Sequence, residues 1–395
     1  MTRPSISGPR TLGRDVRVLL ACSFLIPFGS FMVLPFIPIF MSRQLGLSMS
    51  MIGLLLAAMS FIQFGGAFLG GLLGEALGHK RAMVWALLVR SAGFGLLTAS
   101  AWVPSLAIPS VLLIAAGAAL YVPACKAYVV SAVPAPSQAL ALSLSNSAMN
   151  AGMGLGPLLG GLAIEGHAFP MFGIVTAVFV AVTALHGVFT RARPSAQGQG
   201  ARFIPRPAEV AQLTGPLLLN ALVFYTYFFF QNFLGPYATH FHPAWIYAWL
   251  LVANAVIVIA AQPLLSNLVR RHDFTLVLAL GFPMMVAGVL AMTRAAAPML
   301  FAGTALISVA EAALFLKLEL EFMDRMPDRP AIAFGWQRLS SGVGAGASGV
   351  VGGVLYETLQ AANAVNHFWS WVAGQSLFLA LLSMGLWRGL PKRRA

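Results

Sequence analysis

The stretch RVLLACSFLIPFGSFMVLPFIPIFM, Arg17 to Met41, decides the fold class. Behind its leading arginine it carries no Asp, Glu, Lys, Arg or His. A membrane-crossing helix needs roughly 20 apolar residues, and this run supplies them. It is longer than a signal-peptide core and has no convincing cleavage site, so with the polar, basic segment Met1 to Val16 before it the run reads as a retained first span. Helix is the state that lipid permits, because an open strand leaves backbone groups unpaired. Barrel strands alternate in polarity, and this run does not.

Eleven runs of the same kind follow, near 51–75, 82–102, 105–130, 138–164, 169–190, 212–236, 245–268, 274–293, 298–322, 331–357 and 367–387. The whole chain has 395 residues, 59% hydrophobic and 9% charged, with a mean hydropathy of +0.83. A soluble domain is about 25% charged; a chain this apolar could not cover its own surface, and it has too little polarity to stay solvated as a disordered one. Twelve spans use about 240–250 residues. The remainder suits short loops and tails, with no room for a second soluble domain.

The basic excess is distributed by side. The net charge is +13, from 24 basic and 11 acidic residues. With the N-terminus inside, eighteen bases fall on cytoplasmic segments, only Arg43 and Arg294 on the other side, and Arg90, Lys126, Lys317 and Arg338 within spans. That bias predicts both termini in the cytoplasm. A nucleic-acid partner would need a basic patch studded with aromatics, which the chain does not show. Cys22 and Cys125 are isolated in apolar runs and read as small core residues. His167, His240 and His242 lie in or beside outer loops, where they make a poor metal site, so neither metal nor cofactor is expected.

The chain reads as a duplication. The connection Arg191 to Gln212 holds Pro194, Gly198, Gly200, Pro205, Pro207 and four arginines, the composition of a flexible linker. It divides the chain into a six-span half at 1–190, a cytoplasmic linker at 191–211 and a second half at 212–395. Gly152, Gly160 and Gly161 precede Gly344, Gly352 and Gly353 by 192 residues, and Lys126 and Pro136 precede Lys317 and Pro327 by 191. Duplicated bundles that rock about a midplane site are a transporter design.

Three motifs carry a family resemblance. The fifth span reads Gly152-Met-Gly-Leu-Gly156-Pro157-Leu-Leu-Gly160-Gly161. Its glycines let helices approach closely and Pro157 removes a backbone donor; any one glycine alone is equally a plain packing position. As a string it resembles the span 5 motif of proton-coupled antiporters in the major facilitator superfamily, with Ser143 where the family has a further glycine. The loop Gly71-Leu-Leu-Gly-Glu75-Ala76-Leu-Gly78-His-Lys80-Arg81 resembles the superfamily's span 2–3 loop, with Glu75 and Ala76 where Asp and Arg are usual. Phe28-Gly29-Ser30-Phe-Met-Val-Leu-Pro35-Phe-Ile-Pro38 resembles the span 1 pattern of the twelve-span drug–proton antiporters; its prolines would open the helix in its outer half. The basic span 4 motif is reduced to Lys126, and the matching loop of the second half keeps only Arg270 and Arg271.

This resemblance implies an all-α membrane protein of twelve transmembrane helices in two pseudo-symmetric six-helix bundles, the major facilitator fold. It implies that Glu75, with Gly71, Gly78, Lys80, Arg81 and Lys126 around it, latches the cytoplasmic ends of the halves. Lys126 either pairs with Glu75 or snorkels to the interface.

An ionisable group inside a span costs roughly 2.5–3.5 kcal/mol even on insertion-based scales, so each one needs a reason. Glu311 is the one deep acid. A carboxyl removed from water favours its protonated form, so Glu311 is the candidate carrier of a coupling proton, with substrate or Arg338 competing for it. The alternative is a structural ion pair between Glu311 and Arg338. Lys317 and Glu321, four apart, can pair on one helix face, and Glu319 reads as similarly structural. Arg90 and Arg338 lie about 11–12 Å from the cytoplasmic face at 1.5 Å per residue. Two deep arginines against one acid predict neutral, zwitterionic or anionic substrates over simple cations.

Polar groups on aromatic spans complete the candidate cavity. Span 7 reads Phe224-Tyr225-Thr-Tyr227-Phe228-Phe229-Phe230-Gln231-Asn232. A run of rings this dense exceeds one helical face, so some must face lipid. Tyr225, Tyr227, Gln231 and Asn232 are better cavity residues, because their polar ends seek partners away from lipid. Asn146 and Asn150 share a face of span 5, and Gln63, Asn254 and Gln337 are isolated polar positions. Trp369 and Trp371 read as interface anchors.

These readings converge on a secondary active exporter of small organic molecules in the bacterial inner membrane. A proton gradient would drive it as a functional monomer in the bilayer, by alternating access of the halves. A dedicated exporter of one metabolite, such as a siderophore, and a proton-coupled uptake symporter are the alternatives. Nothing resembles a phosphate-binding loop, and no convergent nucleophile, acid or metal-ligand set marks an enzyme.

Overall fold

The computed structural model describes residues 14–133, 135–164, 166–191, 207–326 and 330–389. It is all helical. Helix α1 is Arg14–Val33 and α2 is Ile37–Arg43; α3 is Met49–Leu77, α4 His79–Ala99, α5 Ala107–Ala132, α6 Ala135–Ala163 and α7 Ala168–Phe189. After the connection come α8 Pro207–Phe241, α9 Ala244–Arg271, α10 Phe274–Ala291, α11 Ala297–Arg325, α12 Pro330–Ala361 and α13 Phe368–Gly389. Helices α1 and α2 are one span broken by a tight turn at Leu34–Phe36, where Pro35 and Pro38 withhold N–H donors. The chain therefore presents twelve helical segments. Among the described residues ten are long and apolar enough to cross a membrane, and the protein is a multi-pass membrane protein. Pro236 does not end α8, which runs on to Phe241; prolines are tolerated inside membrane helices.

Connections are short. Helices α3 and α4 meet at Gly78, whose φ of 84° lies in the region that favours glycine. This conformation gives Gly78 of the loop motif a backbone reason to be glycine. Lys80 and Arg81 follow in the first turn of α4, and Lys126 is exposed near the end of α5. The side chains of Gly71, Glu75 and Ser143, and the linker residues 192–206, lie outside the described residues.

Small residues set the closest helix contacts. On α6 the glycines at 152, 156 and 160 would drive a Cβ into the backbone carbonyls of Phe24, Phe28 and Met32 on α1. Both series are spaced by four, so the two helices lie backbone to backbone. The other face of α6 meets α9, with Gly154 against Ala255 and Gly161 against Ala248. The second half repeats this. Gly344 meets Ala221 and Tyr225 of α8, Gly352 meets the Phe233 ring of α8, and Gly353 meets Met49 and Gly53 of α3. The contacts thus follow the 192-residue repeat. Helix α3 packs along α12 and α6 along α9, joining the segments on either side of the connection.

Three side-chain expectations are corrected. Phe224, Phe229 and Phe230 are buried and Phe228 partly so: α8 is wrapped by α9, α10, α11, α12 and α13, which leaves these rings no lipid face. Trp369 is also fully buried, stacked edge-on to Tyr237, while Trp371 is exposed. Lys317 does not pair with Glu321. Its Nζ donates to the carbonyls of His272 at 2.7 Å and Val269 at 3.3 Å, capping the end of α9, where helix carbonyls lack partners and a cation is favoured. Glu321 pairs instead with Arg325 at 2.7 Å.

Candidate functional site

The centre of the molecule holds a chamber of about 170 Å³. Its walls come from both sides of the connection: Phe31 of α1, Asn150 and Met153 of α6, Tyr227 and Gln231 of α8, Asn254 and Gln262 of α9, and Glu311 of α11. Glu311 is the one charged residue among those lining it.

The carboxyl of Glu311 is held by neutral groups. Asn254 Nδ2 donates to Glu311 Oε2 at 3.0 Å and to Ser308 Oγ at 2.8 Å. Ser308 donates its own proton to the Thr304 carbonyl at 2.7 Å, so its oxygen is free to accept. Both hydrogens of the Asn254 amide are thereby assigned, and the amide is fixed toward the acid. The Tyr227 hydroxyl also comes within reach of the carboxyl. An ionised carboxylate can accept from both groups. A protonated one keeps an oxygen that can accept from Asn254 and gains a hydrogen of its own to donate. The two protonation states therefore differ in what the carboxyl can donate to its neighbours.

Arg338 is not the partner of Glu311. Its guanidinium lies over the Phe64 ring at 5.9 Å, and it lines a second cavity of about 200 Å³ with Glu319 and Gln337. Tyr227 lines both cavities. Arg90 lines neither. It is buried between helices, donating to Ser30 Oγ at 2.7 Å and lying over Phe179 at 5.0 Å. Gly117 lets α5 approach α4 closely here, since a Cβ there would meet the Ala86 carbonyl and the Arg90 backbone.

The other expected residues divide. Asn150, Tyr227 and Gln231 line the chamber, and Gln337 the second cavity. Asn146 and Gln63 are exposed and line neither. Tyr225 packs edge-on against Phe229 at 5.0 Å, and Asn232 is buried with its Nδ2 unpartnered. The glycines of span 5 serve the helix contacts above, and Pro157 is buried beside them. Asn254 was legible only as an isolated polar position, and Gln262 and Phe31 were missed; a lone amide in an apolar run was the available signal. No group of three or more His, Cys, Asp or Glu among the described residues is placed to hold a metal ion.

At the end of the molecule bearing Arg43, cross-contacts join the two sides of the connection. Arg43 donates to the Thr239 carbonyl, and the Tyr247 hydroxyl to the Pro35 carbonyl at 3.2 Å. Glu357 of α12 accepts from the Ser50 backbone N–H at 2.8 Å. That places a carboxylate at the N-terminus of α3, where unsatisfied donors and the helix dipole favour it.

Comparison with known proteins adds the following. A family model described as Major Facilitator Superfamily matches residues 19–248. An uncharacterized MFS-type transporter of Mycobacterium tuberculosis is 32% identical over 151 residues, covering 38% of this chain and 36% of that protein. The multidrug resistance protein MdtH of Escherichia coli is 32% identical over 160 residues, covering 40% and 39%. The chain therefore spans little over a third of the length of the curated relatives it matches. Among solved structures, a mutant of the nucleoside transporter NupG superimposes with a TM-score of 0.80 at 13% identity, over 94% of this chain and 99% of that one. A POT family transporter in complex with 5-aminolevulinic acid gives 0.81 at 10% identity, over 98% of each. These likenesses are of fold.

Proposed function

The chain belongs to the Major Facilitator Superfamily, and we propose that this secondary transporter is a proton-coupled antiporter exporting small organic molecules. One observation carries the reading: Glu311, on α11, faces a chamber whose walls come from both sides of the connection. In such a chamber, rocking of the two parts exposes the same carboxyl to either side in turn. The proposed moving bodies are the six-span halves at 1–190 and 212–395.

The distribution of bases orients the protein with both termini in the cytoplasm of a bacterium and the Arg43 end outside. The Arg43, Tyr247 and Glu357 contacts then form the outer closure. The likeness to MdtH, whose name describes multidrug resistance, supports export of drug-like amphiphiles, as does the span 5 string. A preference for neutral, zwitterionic or anionic substrates rests on Arg338, since Arg90 lies off the cavities.

The test is substrate-dependent proton movement in proteoliposomes. Wild type is expected to move protons against substrate, and Glu311→Gln to lose this while still folding. Full pH-gradient-driven transport by Glu311→Gln would overturn the reading.

A further inference from the structure

The second cavity has a different chemistry from the Glu311 chamber. Its walls are rings. Phe224 and Phe315 stack with centroids 4.5 Å apart and planes within 6°. Phe64 meets Phe224 edge-on at 5.9 Å, and Tyr227 meets Phe315 edge-on at 5.0 Å. Into this box come two opposite charges, Glu319 from α11 and Arg338 from α12.

Neither charge is neutralised by the protein. Among the described residues Glu319 and Arg338 form no ion pair with each other or with a third group, and the ion pair of Glu321 with Arg325 nearby uses neither. Arg338 has only the face of Phe64 beneath it. Opposite charges on neighbouring helices that serve only stability would be expected to meet. Kept apart on one apolar-walled cavity, they match a ligand that carries both signs itself. Both side chains reach solvent as well as the cavity, and a ligand with one charge would engage only one of them.

We propose that this cavity is a subsite for aromatic zwitterions. The anionic end of the ligand meets Arg338, the cationic end meets Glu319, and the flat apolar body lies among Phe64, Phe224 and Phe315. This deepens the transport reading and rests on it.

The test uses three indole probes that differ in charge: L-tryptophan as zwitterion, tryptamine as cation and 3-indolepropionate as anion. Binding to the purified full-length protein in lipid nanodiscs is measured by equilibrium dialysis at neutral pH. One charge-assisted hydrogen bond to the ligand corresponds to about tenfold or more in affinity. Tryptophan is expected to bind at least about tenfold tighter than either singly charged probe. Glu319→Gln and Arg338→Gln should each abolish that preference, and the exchanged double variant Glu319→Arg/Arg338→Glu should restore it, since a zwitterion can bind reversed. A preference below tenfold in the wild type, or one that survives either single substitution, overturns the proposal. Dialysis needs no gradient, so loss of the tryptophan preference beside intact Glu311-dependent proton movement would sink the subsite alone.

Discussion

Asn254 and Glu311 are joined across the α9–α11 interface by a hydrogen bond of 3.0 Å, and the same amide nitrogen is anchored to Ser308 at 2.8 Å. The acid is thus steered by an amide rather than neutralised by a base. Asn254→Leu removes that donor while roughly keeping side-chain size. Hydrogen bonds to charged groups contribute about 1.5–3 kcal/mol, so gradient-driven transport should fall about tenfold or more. Downhill substrate movement without a gradient should be much less affected. Paired flux measurements in proteoliposomes check this, and equal loss in both modes would count against it.

The glycine ladder makes a folding prediction. Gly152→Ala and Gly344→Ala each place a methyl against the backbone of a neighbouring helix, where overpacking costs about 1–3 kcal/mol. Both should lower the thermal stability of detergent-extracted protein. Gly187→Ala, with nothing within 4 Å of the added atom, should not. Melting curves followed by gel filtration separate the three.

The outer closure can be loosened. Glu357→Gln takes the formal charge from the α3 N-terminus, and Arg43→Ala removes the link to the Thr239 carbonyl. Each should populate the outward-open state. The two natural cysteines are buried, so a Leu251→Cys reporter lining the chamber should label severalfold faster from outside with an impermeant maleimide in either background. Unchanged labelling would show that these contacts do not hold the gate.

Orientation is separately testable. In intact cells an impermeant maleimide should label Asn366→Cys, between α12 and α13, at once. His79→Cys, at the start of α4, should react only after permeabilisation. The reverse pattern would invert the topology.

Much of this was readable in the residues, and the unread part has one physical cause. Apolar runs report how far a residue lies along the membrane normal, so the spans and the depth of Glu311 were legible. They do not report rotation about the helix axis. Arg90 in span 3 and Arg338 in span 11 read at similar depths, yet Arg90 turns between helices onto Ser30 and Phe179 and Arg338 turns onto a cavity. Glu319 looked structural for the same reason. Lys317 went astray differently: its partners are the carbonyls of Val269 and His272, which no side-chain spacing on α11 can reveal. The glycines of span 5 were placed on the right helix, but only the structure shows that they divide between two neighbours.

That division has a mechanical meaning. The glycines at 152, 156 and 160 fasten α6 to α1, within the first half, while Gly154 and Gly161 rest on α9, in the second. One helix therefore has a welded side and a bearing side. A bearing made of small, flat residues offers few protrusions to climb as the halves swing. Enlarging the welded side should cost folding, whereas a methyl on the looser bearing side, as in Gly154→Ala, should leave a stable protein that transports more slowly.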